Sequence, residues 1–322
     1  MFIKDFQLSE DVFQLDSLDL RLPYDHPEKP RVTQDRNFMH AGLAGEKEVC
    51  YYLSFLPPRQ FFIIHNVRLR DSHSYFQIDY LILHPKVIFI LEVKNFKGPY
   101  LINELRQFVP DSTSKKQDFF FDPINQAERQ AFQLKNWLQE HRIPNFPIVP
   151  LVVLGPSTVL SQNLSSDPKS LNMVFTYTTV IPAIQSIAES HSKVIVKTDQ
   201  LFKIAKLIAD SNTPVRPNLL EKYSIAYSDL IKGIRCPSCG SFSISRYRGR
   251  WLCLKCHHKG KSEHISALND YYLLVKDTIT NREVRDFLRI ESNEVVKYLM
   301  RKAGYELNGK NFGSYYRLRY VR

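Results

Sequence analysis

FQIDYLILHPKVIFILEVKNFKG, residues 76–98, decides the fold. Two apolar, strand-like runs meet at a short turn at His84 and Pro85. Into them are set Asp79, Glu92 and Lys94, where burial makes a charge costly. Side chains alternate along VIFILEVKN, so Glu92 and Lys94 share one face and Val93 lies on the other. A tight turn lays the two strands side by side and brings Asp79 toward Glu92. Two carboxylates and an ammonium then converge at a strand end.

Paired carboxylates repel unless a cation separates them. Mg²⁺ suits such a place, because it prefers oxygen, keeps several waters and takes one or two carboxylates plus a phosphate. A lysine beside it can orient water or stabilise charge building on phosphorus. The spacing alone also admits a Glu–Lys pair on an exposed sheet face, with Asp79 opposing another cation.

Upstream, HAGLAGEKEVCYYLSFL carries an apolar stripe at helical spacing: Leu43, Val49, Cys50, Leu53 and Leu56. A helix is expected over 39–56, ended by Pro57-Pro58. Gly42 and Gly45 share the stripe and would let the helix approach the sheet. Glu46 falls on it too, and needs either a metal with its waters or an arginine. Cys50 reads as a small buried apolar residue.

FFIIHNVRLRD and GPYLINE read as strands, and PDSTSKKQ as a polar insertion. A helix then starts with Asp122 as N-cap and Pro123 at its first position. FPIVPLVVLG and MVFTYTTV read as strands, and TDQLFKIAKLIADS as a closing amphipathic helix. The order implies an α/β layered domain over 39–210. Residues 1–38 read as an N-terminal extension, largely extended around Pro27 and Pro30, and 211–232 as a linker.

The 322-residue chain carries a net charge of +11. Residues 232–322 hold 19 Lys plus Arg against 8 Asp plus Glu, and the remainder balances at 25 against 25. A basic block of this kind suits an anionic polymer, most commonly nucleic acid, or it is merely a solvated surface. Apolar runs such as IVPLVVLG are too short to span a bilayer. The N-terminus lacks the basic and apolar regions of a signal peptide, so a cytoplasmic location is expected.

Four of the five cysteines form CPSC and CLKC, a C-x2-C pair repeated after thirteen residues. Cys236, Cys239, Cys253 and Cys256 therefore fit tetrahedral Zn²⁺, and the stretch 233–262 resembles a zinc ribbon. A redox dithiol is the competing reading. His257 and His258 are spectators. The intervening SISRYRGRWLC alternates like a hairpin turning at Arg248-Gly249. Its Arg246, Arg248, Arg250 and Trp251 mix cations with an aromatic, as phosphate and base contacts require, although a ribbon can equally bind protein.

Three helix-like segments follow, over 264–276, 281–289 and 293–303, the last two at helix-turn-helix distance. A hairpin with Asn308-Gly309 near its turn ends the sequence. Residues 263–322 thus resemble a winged helix, with Asn293, Lys297, Arg301 and Lys302 on its third helix and Lys310, Arg317 and Arg319 on the wing. A small helical protein-interaction module is the alternative.

D-(x)n-E-x-K on adjacent strands, with a glutamate on the preceding helix, resembles the PD-(D/E)xK nuclease superfamily and its restriction-endonuclease-like fold. More narrowly, GLAGE at 42–46, QIDYLIL at 77–83, IFILEVKNFKG at 88–98 and DPINQAERQ at 122–130 resemble the nuclease-related domain, NERD. The resemblance implies Asp79 and Glu92 as ligands of Mg²⁺ or Mn²⁺, and Lys94 as catalytic lysine. It implies Glu46 as the helix carboxylate that positions water or a second ion. It places Gln126 in the family's N-P-x-x-Q segment, with Asp122 in place of the usual Asn. Tyr80 stands where many members have histidine. The implied activity is hydrolysis of phosphodiester bonds in nucleic acid, DNA above all, with structural zinc and a basic tail for targeting. A nucleic-acid-binding regulatory or adaptor protein with an inactive or partner-dependent core is the alternative. Self-association or a protein partner fits either reading.

Overall fold

The structure is a computed structural model that describes residues 1–111, 121–163, 167–309 and 313–321. Most of the PDSTSKKQ insertion and Lys310 lie outside them. The chain divides into two compact units: Met1–Leu8 with Met39–Val215, and Ser9–Phe38 with Arg216–Arg322.

The elements begin with β1 (Phe2–Lys4), α1 (Glu10–Arg21) and α2 (Lys29–Leu53). Then come β2 (Phe62–Arg70), β3 (Tyr75–His84), β4 (Val87–Lys94), β5 (Gly98–Ile102), β6 (Phe108–Pro110) and α3 (Pro123–Glu140). The first unit ends with β7 (Ile148–Leu154), β8 (Thr158–Asn163), α4 (Pro168–Met173), β9 (Val174–Thr176), α5 (Val180–Ser190) and α6 (Thr198–Asp210).

A mixed sheet in the order β1-β2-β3-β4-β7-β9 centres this unit. β2, β3 and β4 form an antiparallel meander, and β4, β7 and β9 run parallel. β4 lies between β3 and β7 and is buried on both faces from Val87 to Val93, which is why it reads as an unbroken apolar run. Leu134, Trp137 and Leu138 of α3 and Leu201, Ile204 and Ile208 of α6 cover one face of the sheet. Val49 and Leu53 of α2 and Val180 and Ile184 of α5 cover the other. A small sheet, β6-β5-β8, stands beside it. The fold is a mixed α/β sheet flanked by helices.

The first residues differ from the extended stretch expected. Pro30 sits in the first turn of α2, where its missing N–H breaks no helical bond, so the helix starts well before Met39. α1 also went unread. Ser9 occupies its N-cap position, Glu10 and Asp11 its first turn, and Val12, Leu15 and Leu18 its buried stripe. MVFTYTTV yields only a three-residue strand, Val174–Thr176, because Val180 already opens α5. The β-branched residues there mask a helical period, with Val180, Ile184 and Ala188 buried at steps of four.

The second unit is assembled from both ends of its sequence. After α7 (Leu219–Lys222) come β10 (Ile244–Tyr247), β11 (Arg250–Cys253), β12 (Lys259–Gly260), α8 (His264–Leu274) and β13 (Thr278–Ile279). α9 (Asn281–Leu288), α10 (Asn293–Lys302), β14 (Leu307–Asn308) and β15 (Tyr315–Arg317) complete it. Thr280 and Glu283 close a capping box on α9, and Ser292 caps α10. One core runs through the unit, from Cys236 and Trp251 by way of Leu268 and Tyr271 to Phe287, Leu299 and Tyr316.

α1 packs against α8. Arg21 at its end is fully buried. Its Nε donates to Asp270 Oδ2 at 2.7 Å, and Nη1 to the carbonyls of Ile231 and Gly233 at 2.7 and 3.2 Å. Its guanidinium lies 4.4 Å from the Phe287 ring centroid and 5.2 Å from that of Phe242.

Candidate functional site

The β3–β4 ladder pairs His84 with Val87 across a turn at Pro85-Lys86, and runs to Tyr80 opposite Leu91. Asp79 and Glu92 hold the next position, where β4 continues only along β7. Asp79 Oδ2 there accepts the Val93 N–H at 2.8 Å.

Glu92 is 2% exposed, so the exposed Glu–Lys pair does not describe this site. Its Oε1 lies 2.5 Å from Lys94 Nζ, and its Oε2 accepts from Gln130 Nε2 at 2.8 Å. Lys94 Nζ also donates to Gln126 Oε1 at 3.3 Å. Gln126 and Gln130 stand one turn apart on one face of α3. The start of that helix is set by Pro123 and by the Asp122 carboxylate, which accepts the Asn125 N–H at 3.3 Å. Asp79, Glu92, Lys94 and Gln126 thus meet at the end of β4.

Glu46 faces inward from α2. Its Oε2 lies 2.9 Å from His65 Nε2, and its backbone carbonyl accepts the Tyr80 hydroxyl at 2.8 Å. Its partner is therefore a histidine of β2. Tyr80 is fully buried and acts on the Glu46 backbone.

The Asp79 carboxyl is raised well above its ordinary range, chiefly by desolvation and then by repulsion from Glu92 and Glu46, with Lys94 opposing. Such a group is relieved by a proton or a cation. Two carboxylates suffice for Mg²⁺, whose remaining ligands are waters and phosphate. Among the described residues the cysteines alone form a set of three or more ligands drawn together at metal distance. The carboxylates therefore fit an ion held largely by water and substrate, not an all-protein cage.

Gln130, His65 and Asn95 escaped the sequence reading. Gln130 had a signal in its spacing of four from Gln126. His65 is paired with Tyr80 across the strands, which no local pattern shows. Asn95 follows Lys94; its Nδ2 donates to Ala41 O at 2.8 Å and its Oδ1 accepts the Ser157 N–H at 2.9 Å. Gly45 allows this approach, since a Cβ there would stand 2.4 Å from Asn95 Cβ. Gly42 plays no such part, having nothing within 4 Å of its Cβ position. Gly45→Ala should thus displace Glu46 and lower stability by about 1–3 kcal/mol, the scale of overpacking, read by denaturant melts. Gly42→Ala should not.

The four thiols of Cys236, Cys239, Cys253 and Cys256 lie within 4.8 Å of one another. Cys236–Cys256 and Cys239–Cys253 sulfurs are 3.6 Å apart. A disulfide needs about 2 Å, whereas Zn–S bonds of about 2.3 Å in a tetrahedron imply about 3.8 Å. The set fits zinc, and all four cysteines are free thiols. Gly240 at φ 74° and His257 at φ 59° end the two knuckles in the left-handed region. The Cys256 N–H donates toward Cys253, and with burial opposing, the thiol is drawn down to about 6. One zinc per chain should be found by elemental analysis, and Cys236→Ser should remove it and unfold the ribbon.

Of the tail residues, Arg248, Arg250, Asn293, Lys297, Arg301, Lys302, Arg317 and Arg319 are exposed and Arg246 is half-buried. Trp251 corrects the reading. It is 2% exposed and donates its indole N–H to His264 Nδ1 at 3.1 Å, so it is core and offers no face to a base.

Among the described residues no helix is long and apolar enough to cross a membrane. The sequence matches the family profile of the nuclease-related domain over residues 41–155. It is also similar to an uncharacterized protein of Bacillus anthracis, 26% identical over 183 residues that span 56% of this chain and 78% of that one. The matched span contains Asp79, Glu92, Lys94, Gln126 and Gln130, gathered at the end of β4, and Glu46, paired with His65. Residues 41–155 of this chain thus form a nuclease-related domain.

Proposed function

We propose that the protein is a metal-dependent nuclease that hydrolyses phosphodiester bonds in DNA. The observation that carries this reading is the buried Glu92, fixed between Lys94 and Gln130 and facing an Asp79 whose ionisation is opposed. Mg²⁺ or Mn²⁺ at Asp79 and Glu92 would supply Lewis-acid stabilisation of the phosphoryl oxygens and activate water. Lys94, oriented by Glu92 and Gln126, stabilises negative charge developing on phosphorus. Glu46, held by His65 through one oxygen, orients water through the other. A cation held by Asp79 and Glu92 would offset the repulsion between them.

In the second unit, three helices and a small antiparallel sheet in the order β13-β15-β14 support a winged-helix-like reading. Together with the ribbon it would hold the nucleic acid. A partner-dependent core is the second reading, favoured because Lys94 and Gln130 occupy both oxygens of Glu92.

The deciding experiment incubates purified protein with Mg²⁺ or Mn²⁺ and single-stranded, duplex and branched DNA. Cleavage that EDTA stops supports the enzyme. DNA binding with no cleavage under any of these conditions favours the second reading.

Gln130→Met should keep the fold and lower kcat by about tenfold with KM little changed. That is the effect expected when an orienting hydrogen bond of about 1.5 kcal/mol to a charged group is lost. An unchanged kcat would remove Gln130 from the site.

A further inference from the structure

The ribbon hairpin and α10 belong to the same unit, and their side chains interlock. Arg246 of β10 lies 5.2 Å from the Trp251 ring centroid and 5.9 Å from that of Tyr298 on α10. Lys302 lies 5.8 Å from the same Tyr298 ring. Beneath them the His264 imidazole is drawn down to about 4, first by burial and then by Arg246, with Lys302 adding to it and Glu263 opposing. One buried group therefore feels cations from the hairpin and from the helix together.

The charge on this face is available. Lys297 is tied to Glu294 at 2.8 Å, but Arg246, Arg248, Arg250, Arg301 and Lys302 make no ion pair among the described residues. The aromatic groups are not available in the same way. Trp251 is core; Tyr298, 45% exposed, already carries two cations, and Tyr247 of β10, 55% exposed, carries the Arg248 guanidinium at 5.2 Å. A surface for single strands offers open rings on which bases stack. This surface offers cations on an aromatic platform, the equipment for phosphates flanking a groove.

We infer that the hairpin β10–β11 and the exposed face of α10 are one continuous surface that holds a single stretch of duplex DNA, with Tyr298 bridging its two halves. The inference rests on the reading of the second unit as the holder of nucleic acid. Arg246 and Arg301 then contact phosphates of the same duplex, and removing either shortens one shared footprint.

The test uses the full chain carrying Glu92→Gln, so that the DNA stays intact. Binding of a labelled duplex is followed by anisotropy across a salt series. Arg246→Ala and Arg301→Ala should each weaken binding several-fold and reduce the salt slope by about one. Tyr298→Ala should weaken it too, and should couple to Arg246→Ala in a double-mutant cycle, whereas Tyr298→Phe should not. Zinc content and melting temperature confirm that each variant is folded. If Arg301→Ala weakens binding and Arg246→Ala does not, the continuous surface is overturned and the holder survives. If neither matters, both fail. Tighter binding of a single strand that displaces the duplex overturns the assigned occupant.

Discussion

Glu92→Gln is expected to lower cleavage by about a thousandfold or more while duplex binding stays within a few-fold of wild type. The substitution keeps the shape of the side chain and removes its charge. Lys94 loses its anionic partner at 2.5 Å, and a cation bound there would lose one of two carboxylates. Charge stabilisation by a bound metal contributes several kcal/mol, and each 1.4 kcal/mol is about tenfold in rate. The fold should persist, because the new amide can accept from Lys94 through its oxygen and donate to Gln130 Oε1 once the Gln130 amide turns over. Turnover should be measured at saturating Mg²⁺ on whichever DNA the wild type cuts. Equal turnover in the two proteins would remove the end of β4 as the active site. Asp79→Asn should behave alike, whereas Lys94→Ala should spare metal binding, read by calorimetry, and still lose turnover.

The second large effect is expected within the other unit. Arg21→Ala should destabilise the second unit by about 3–5 kcal/mol, the scale for stripping one partner from a buried ion pair. Asp270 would lose its cation, the carbonyls of Ile231 and Gly233 a donor, and the Phe242 and Phe287 rings their stacked guanidinium. Arg21→Lys should recover only part, since a point charge cannot reproduce the planar fork. Differential scanning calorimetry would show an early transition, and proteolysis would begin in residues 216–322. A variant that melts like the wild type would show that α1 is an ornament on this unit and not part of its core.

What could be read ahead of the structure was local. The β3–β4 hairpin, the capped start of α3 and the cysteine knuckles each announce themselves within about twenty residues. What was missed depends on residues far apart. Gln130 matters because α3 crosses β4, and Trp251 is buried because α8 lies over it. The partner of Glu46 came from the neighbouring strand. The division of charge misled in the same way. Composition puts all the excess after residue 231, but the second unit also takes in the acidic Ser9–Phe38. It holds 25 basic and 17 acidic residues, and the first unit 19 and 16, so the imbalance is +8 against +3. A cut at Pro217, inviting on composition, would leave α1 with Val12, Leu15 and Leu18 stripped of α8.

The pairing of α1 with α8 also sets an order of events during synthesis. Ser17 meets Asp270 across 253 residues of chain, so α1 leaves the ribosome long before its partner exists. Contacts this distant close slowly, because loop entropy must be met before they form. Residues 39–215 are continuous and can fold in the interval, around a sheet whose strands are all in hand. The newborn chain can therefore complete its nuclease-related unit first, while the amphipathic α1 is still uncovered. A product that stalls or is clipped before residue 264 never covers that helix. It presents Val12, Leu15 and Leu18 to chaperones and proteases, which makes the last step of folding a check that the second unit has been made.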